Sequence, residues 1–149
     1  AEAYEVVPVD DVREMSLQWV VPYRDAEDRR RRRLAKPEYV VAGMLGYEGP
    51  GSLLSYLKER GWVSSLTAAI FEEQADFQIF GIAVSLTPDG LAQRDAVGQA
   101  VFSYLRTIRE EGVPEYLVDE AVRLSDLFWA YRERQAPGSL VNAAAASMQ

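Results

Sequence analysis

Two residue types are missing from this chain altogether. Its 149 residues include no cysteine and no histidine. The absence of cysteine excludes disulfides, thiolate nucleophiles and thiolate-bound metals, and fits a cytoplasmic or other intracellular setting. The absence of histidine excludes Ser-His and Cys-His catalytic pairs and imidazole-bound zinc. Long apolar runs are also lacking. None approaches the ~18 residues of a membrane-spanning helix, so no membrane partner is expected. Positive charge is outweighed, with 16 Lys and Arg against 23 Asp and Glu and a net charge of -7. That balance repels phosphate backbones at long range, so no nucleic acid partner is expected either. The chain offers no catalytic constellation and no metal site of its own.

What is present is an ordinary globular composition, 48% hydrophobic and 11% aromatic. Residues 1–149 read as one domain, long enough to bury about two-thirds of the unfolded surface. Val6-Val7-Pro8-Val9 reads as a short extended piece, confined by Pro8 to an edge or a strand start. Ser16 to Tyr23 alternates, with Leu17, Trp19, Val21 and Tyr23 on one side, and reads as a half-buried strand. Asp25 to Lys36 is so charged that it reads as an exposed loop or helix approach. Pro37 then opens a helix with Val40, Val41, Met44 and Leu45 on its apolar face, which Gly46 ends. Ser52 caps a second helix presenting Leu53, Leu54 and Leu57, closed by Gly61.

Trp62 to Phe71 and Phe77 to Leu86 read as two strands joined by a polar hairpin loop, with Phe80, Ile82, Val84 and Leu86 on one face. Thr87 and Pro88 start a long helix with Val97, Val101, Tyr104, Leu105 and Ile108 on its buried stripe, closed by Gly112. Pro114 starts another, in which Leu117, Ala121, Leu124, Phe128 and Tyr131 recur at helical spacing. Pro137-Gly138 breaks it, and Ser139 to Gln149 reads as a further helix. The order predicts an α+β fold, a small and mainly antiparallel sheet of about three or four strands with helices packed on one face.

Few motifs carry chemistry. Gly46 to Ser52 is glycine-rich, but no lysine precedes Ser52 and Pro50 removes a backbone donor, so a phosphate cradle is a poor match. Glu48 is an acid in a glycine-bounded turn beside a helix N-terminus, where it can be a solvated turn residue or an acceptor for an ammonium group. Arg29 to Arg33 are five consecutive arginines. Asp25, Glu27 and Asp28 offset three of them and no aromatics interleave, so a solvated segment outweighs an RNA or anion site. Glu72-Glu73 and Glu110-Glu111 are adjacent pairs at polar ends, unsuited to paired acid–base work. Trp19, Trp62 and Trp129 read as core or sheet-face residues.

Gly46-x-Glu48-Gly49-Pro50-Gly51-Ser52-Leu53-Leu54 followed by Gly61-Trp62-Val63 resembles the second, non-zinc-binding domain of insulysin-like (insulin-degrading) members of the pitrilysin family of inverted-motif zinc metallopeptidases. The likeness extends along nearly the whole chain, through Leu17 to Pro22 and Leu86-Thr87-x-x-Gly90. It implies a pitrilysin-type domain cut short, part of a zinc metalloendopeptidase whose His-x-x-Glu-His motif lies in a preceding domain. Zinc would then be a cofactor of the parent protein, bound outside this chain. The expected partners are peptide substrates, the catalytic domain of the same parent, and a second copy of the chain across the surfaces that truncation uncovers.

The resemblance also implies a role, anchoring the substrate amino terminus at an exosite and forming part of the inner chamber wall. By the family pattern Gly46 and Glu48 grip the amino terminus, and Leu66, Thr67, Ala68 and Ile70 lie on an edge strand to which the substrate adds by β-augmentation. Tyr47 and Ala68-Ala69-Ile70 depart from the pattern, which has a histidine and a glycine-rich, glutamine-containing segment there. The alternative implied by the same fold is a non-catalytic peptide-binding or structural subunit of a processing-peptidase-like complex.

Overall fold

The structure, a computed structural model, describes residues 3–133 and 136–147. Among these are three strands and seven helices, β1 (Glu14–Pro22), α1 (Ala26–Ala35), α2 (Pro37–Gly46), α3 (Leu53–Glu59), β2 (Val63–Glu73), β3 (Phe77–Leu86), α4 (Pro88–Ala92), α5 (Arg94–Glu111), α6 (Glu115–Ala130) and α7 (Pro137–Ser147). The strands form one antiparallel sheet in the order β1-β3-β2. This is the expected α+β architecture.

Alternation decides the two faces of the sheet. Phe80, Ile82, Val84 and Leu86 of β3 point to one side and are buried. Met15, Leu17, Trp19 and Val21 of β1 pack on the same side. Among the described residues helices cover this face, through Leu45 of α2, Leu53, Leu54 and Leu57 of α3, and Val97 and Val101 of α5. Burial of each such side chain stabilises the fold by about 1.5–3 kcal/mol. The opposite face, with Ser16, Gln18 and Val20 of β1, is exposed. A bulge between Ile70 and Glu72 lets the Phe71 ring lie over Gly81, filling the gap that a strand glycine leaves.

Five expectations are corrected. Val6 to Val9 is not a strand but exposed, irregular chain, since its valines bury almost nothing that would reward pairing and Pro8 lacks a donor. Asp25 to Lys36 is helical despite its charge. The Asp25 side chain accepts from the Asp28 N–H at 2.7 Å, and the Asp28 carboxylate accepts from the Arg24 N–H at 3.3 Å. This reciprocal capping, with acids in the first turn and arginines in the last, outweighs the lack of an apolar stripe. The same Arg24 N–H and the Arg31 guanidinium hold the Asp28 carboxyl below the usual carboxylate range.

The long helix after Thr87 breaks at Gln93, whose N–H donates to both Asp89 and Gly90 carbonyls while its own carbonyl starts α5. Finally, the stripe on α6 is not a core face. Leu117 and Ala121 are half-buried against α2, but Phe128 and Trp129 are 71% and 69% exposed. The last helix begins at Pro137 rather than Ser139, and the final two residues of its expected range lie outside the described residues.

Candidate functional site

The glycine-bounded turn is built by local chemistry. α2 ends at Gly46, and Tyr47 turns the chain into extended backbone at φ -62°, ψ 130°. Gly51 adopts φ +80°, a conformation most L side chains avoid. Ser52 then caps α3, its Oγ accepting from the Ser55 N–H at 3.0 Å. The Tyr47 ring folds back over Gly49, where a Cβ would meet it. Glu48 stands outward in this turn, its carboxylate 3.7 Å from the Lys58 ammonium and largely exposed.

β2 lies at the end of the sheet. One flank pairs with β3, Thr67 opposite Ala83 and Ala68 opposite Ile82. Among the described residues no strand pairs with its other flank, and a flank of this kind offers unpaired N–H and C=O groups. Beside β2 runs a cleft of about 610 Å³, bounded by α2, β2 and α6. Its wall is mostly apolar, with Val40, Met44, Ala68, Ile70 and Leu124. Charged residues Arg32, Arg33, Glu38 and Glu73 gather where β2 runs into its hairpin.

Of the six expected site residues, the structure brings Ala68 and Ile70 to the cleft wall. Thr67 is exposed on the same strand, and Leu66 turns its side chain into the core, leaving its backbone as the part a ligand can meet. Gly46 and Glu48 belong to the adjacent turn but do not line the cleft; Tyr47, between them, does. Met44, Glu73, Gln78 and the α6 face were not legible as site residues. Their spacing marks them as core or solvent positions, and only the way α2 and α6 straddle β2 gathers them.

The arginine run is consumed by acids of its own neighbourhood. Arg33 reaches Glu73 at 2.7 Å, Arg32 reaches Glu38 at 3.1 Å, and Arg31 reaches Asp28 at 2.6 Å. This internal pairing leaves little field for a phosphate backbone. Zinc does not fit the chain. Its donor set has neither imidazole nor thiolate, and among the described residues no cluster of carboxylates is placed to hold a metal ion. The purified chain is accordingly expected to show no chelator-sensitive cleavage of a quenched peptide. Turnover that EDTA abolishes and zinc restores, in material free of contaminants, would refute this.

With the geometry in hand, the comparisons give it a family. A model described as the peptidase M16 inactive domain matches residues 1–125. Insulin-degrading enzyme of Drosophila melanogaster is 32% identical over 145 residues, 97% of this chain and 14% of that protein. Nardilysin of Rattus norvegicus is 27% identical over 150 residues, 98% of this chain and 12% of that protein. A crystal structure of pitrilysin superposes with a TM-score of 0.81 at 26% identity, over 92% of this chain and 14% of that one. The chain thus spans about one-seventh or less of these relatives. A sheet covered by helices on one side, a match to the inactive-domain model over most of its length, and a missing metal donor set agree: the chain belongs to the peptidase M16 inactive domain family.

Proposed function

We propose that this chain is the substrate-anchoring part of an insulysin-like zinc metalloendopeptidase, binding the amino-terminal segment of a peptide along β2 while zinc chemistry takes place elsewhere in the parent. The observation that carries the reading is the free flank of β2 beside an apolar cleft. Backbone groups on that flank recognise an extended peptide whatever its sequence, and small residues at Ala68 and Ala69 allow close approach. The open face of the sheet then forms part of the chamber wall.

Glu48 and Gly46 supply the end-stop. The Glu48 carboxylate is already solvated and near Lys58; an arriving α-ammonium exchanges with that lysine rather than entering an empty site. Solvent screening reduces the pair to well below a buried charge-assisted bond. In the full-length parent, Glu48→Gln is therefore expected to weaken binding of peptides with a free amino terminus about three- to fivefold. N-acetylated peptides should bind wild type and variant alike. The loss should lie in substrate binding rather than turnover, because the contact is remote from the reacting bond. Equal loss for free and acetylated peptides would assign Glu48 to the structure of the turn instead.

A further inference from the structure

The hairpin end of the cleft holds a buried polar group that peptide anchoring along β2 does not use. Gln78 sits on the core side of β3 opposite Glu73, 5% exposed, and lines the cleft. Its Oε1 lies 3.1 Å from the Tyr23 hydroxyl, and its Nε2 has no hydrogen-bond partner among the described residues. Turning the amide over exchanges the two atoms but still leaves one of them unpaired, since Tyr23 engages only one. A buried amide atom without a protein partner is costly, and it is completed either by a bound water or by a group entering the cleft that displaces that water.

The surroundings define that group. Arg33 and Arg29 share Glu73 and Arg32 pairs with Glu38, so a charged tip would have to compete with these pairs, whereas a neutral one does not. Ala68 and Ile70 along the wall suit an apolar stem. A neutral tip that both donates and accepts satisfies Gln78 in either orientation of its amide; hydroxyls and carboxamides both do so, and the carboxamide alone matches the amide of Gln78 with a planar tip that carries two donors beside its acceptor. Arg33 and Lys36 border the same end and are exposed, so rotamer exchange across a weak surface ion pair opens the way.

We propose that the hairpin end of the cleft is a side-chain subsite that takes a glutamine or asparagine of the bound peptide and pairs its carboxamide with Gln78. This rests on peptide binding along β2. Glu73 lies five residues beyond Ala68 on the strand, roughly 15 Å, so the preferred residue falls several positions after the one opposite Ala68.

The test uses the full-length protein with its metal chelated and a set of extended, free-amino peptides of one scaffold. Each carries glutamine or its near-isostere methionine at one position, and affinity is read by fluorescence anisotropy. Wild type should show one position at which glutamine binds about three- to tenfold tighter than methionine. Gln78→Met should abolish that preference without weakening the methionine peptides, and Gln78→Leu should do the same. The proposal is overturned if no position discriminates in wild type, or if the preference survives in both variants. It is equally overturned if both variants weaken all peptides uniformly, which would make Gln78 a structural residue. Sequence-independent binding that persists without any glutamine preference would sink the subsite and leave the anchoring role intact. Binding that ignores a blocked β2 flank would sink the anchoring role itself.

Discussion

Gly90→Ala is expected to lower the melting temperature of the chain by about 10 °C or to prevent folding, whereas Gly98→Ala is expected to raise it slightly. At Gly90, in the first turn of α4, a Cβ would overlap the carbonyl group of Trp62. Both sides of that contact are held. The Thr87 N–H donates to the same Trp62 carbonyl at 3.0 Å, the Thr87 hydroxyl donates to the Gly61 carbonyl at 2.6 Å, and the Gly90 N–H donates to Thr87 Oγ1 at 2.9 Å. No flexible side chain can yield, so the start of β2 and the end of β3 have to separate. Overpacking against backbone costs about 3 kcal/mol, a large share of a domain's net stability. At Gly98, inside α5, a Cβ meets nothing within 4 Å, and alanine gains about 0.5–1 kcal/mol of helix propensity. Melts followed by circular dichroism compare the two. A Gly90→Ala protein as stable as the Gly98→Ala protein would show that the junction is not a close backbone contact.

Proline on β2 is expected to separate folding from peptide binding. In an antiparallel ladder neighbouring residues turn their N–H groups to opposite flanks. Of Thr67 and Ala68, one therefore donates towards β3 and the other towards the free flank. Thr67→Pro and Ala68→Pro should consequently behave in opposite ways. The variant that loses a ladder donor should be destabilised, as proline in a paired position is. The variant that loses an outward donor should keep its melting temperature within a few degrees. That folded variant should nevertheless bind a free-amino peptide at least about tenfold more weakly, since it loses a hydrogen bond and places a ring where the peptide backbone must approach. Isothermal titration with the metal-chelated parent supplies the measurement. Unchanged affinity in the well-folded variant would remove β2 as the binding edge.

Much of the fold is local and was therefore legible. The helix starts at Pro37, Ser52 and Thr87-Pro88 rest on caps and first-turn residues that act within one turn of chain. The alternation of Leu17 to Val21 and of Phe80 to Leu86 is what a half-covered sheet demands. Errors came where local signals oppose each other. The arginine segment has no apolar stripe yet is helical, because capping by Asp25 and Asp28 and the order of its charges act on the backbone ends. The stripe of α6 has the period of a core helix, but period reports only which residues share a side, not whether another element covers it.

By itself the sequence determined the secondary structure around these caps, the α+β class, the lack of any donor set for zinc, and, through the Gly46-to-Ser52 turn, the M16 kinship. Tertiary structure decided the rest. Strand order is a matter of long-range pairing, and the order β1-β3-β2 puts β2 at an edge, with no strand on its other flank among the described residues. The cleft depends on α2 and α6 meeting beside that strand, although some 70 residues separate them. The half-satisfied amide of Gln78 is likewise a tertiary outcome, since Tyr23, 55 positions away, engages its Oε1 while no described residue reaches its Nε2. Caps and alternation act over a few residues, whereas edges, clefts and unsatisfied groups are created by which distant segments the folded chain brings together and which it leaves apart.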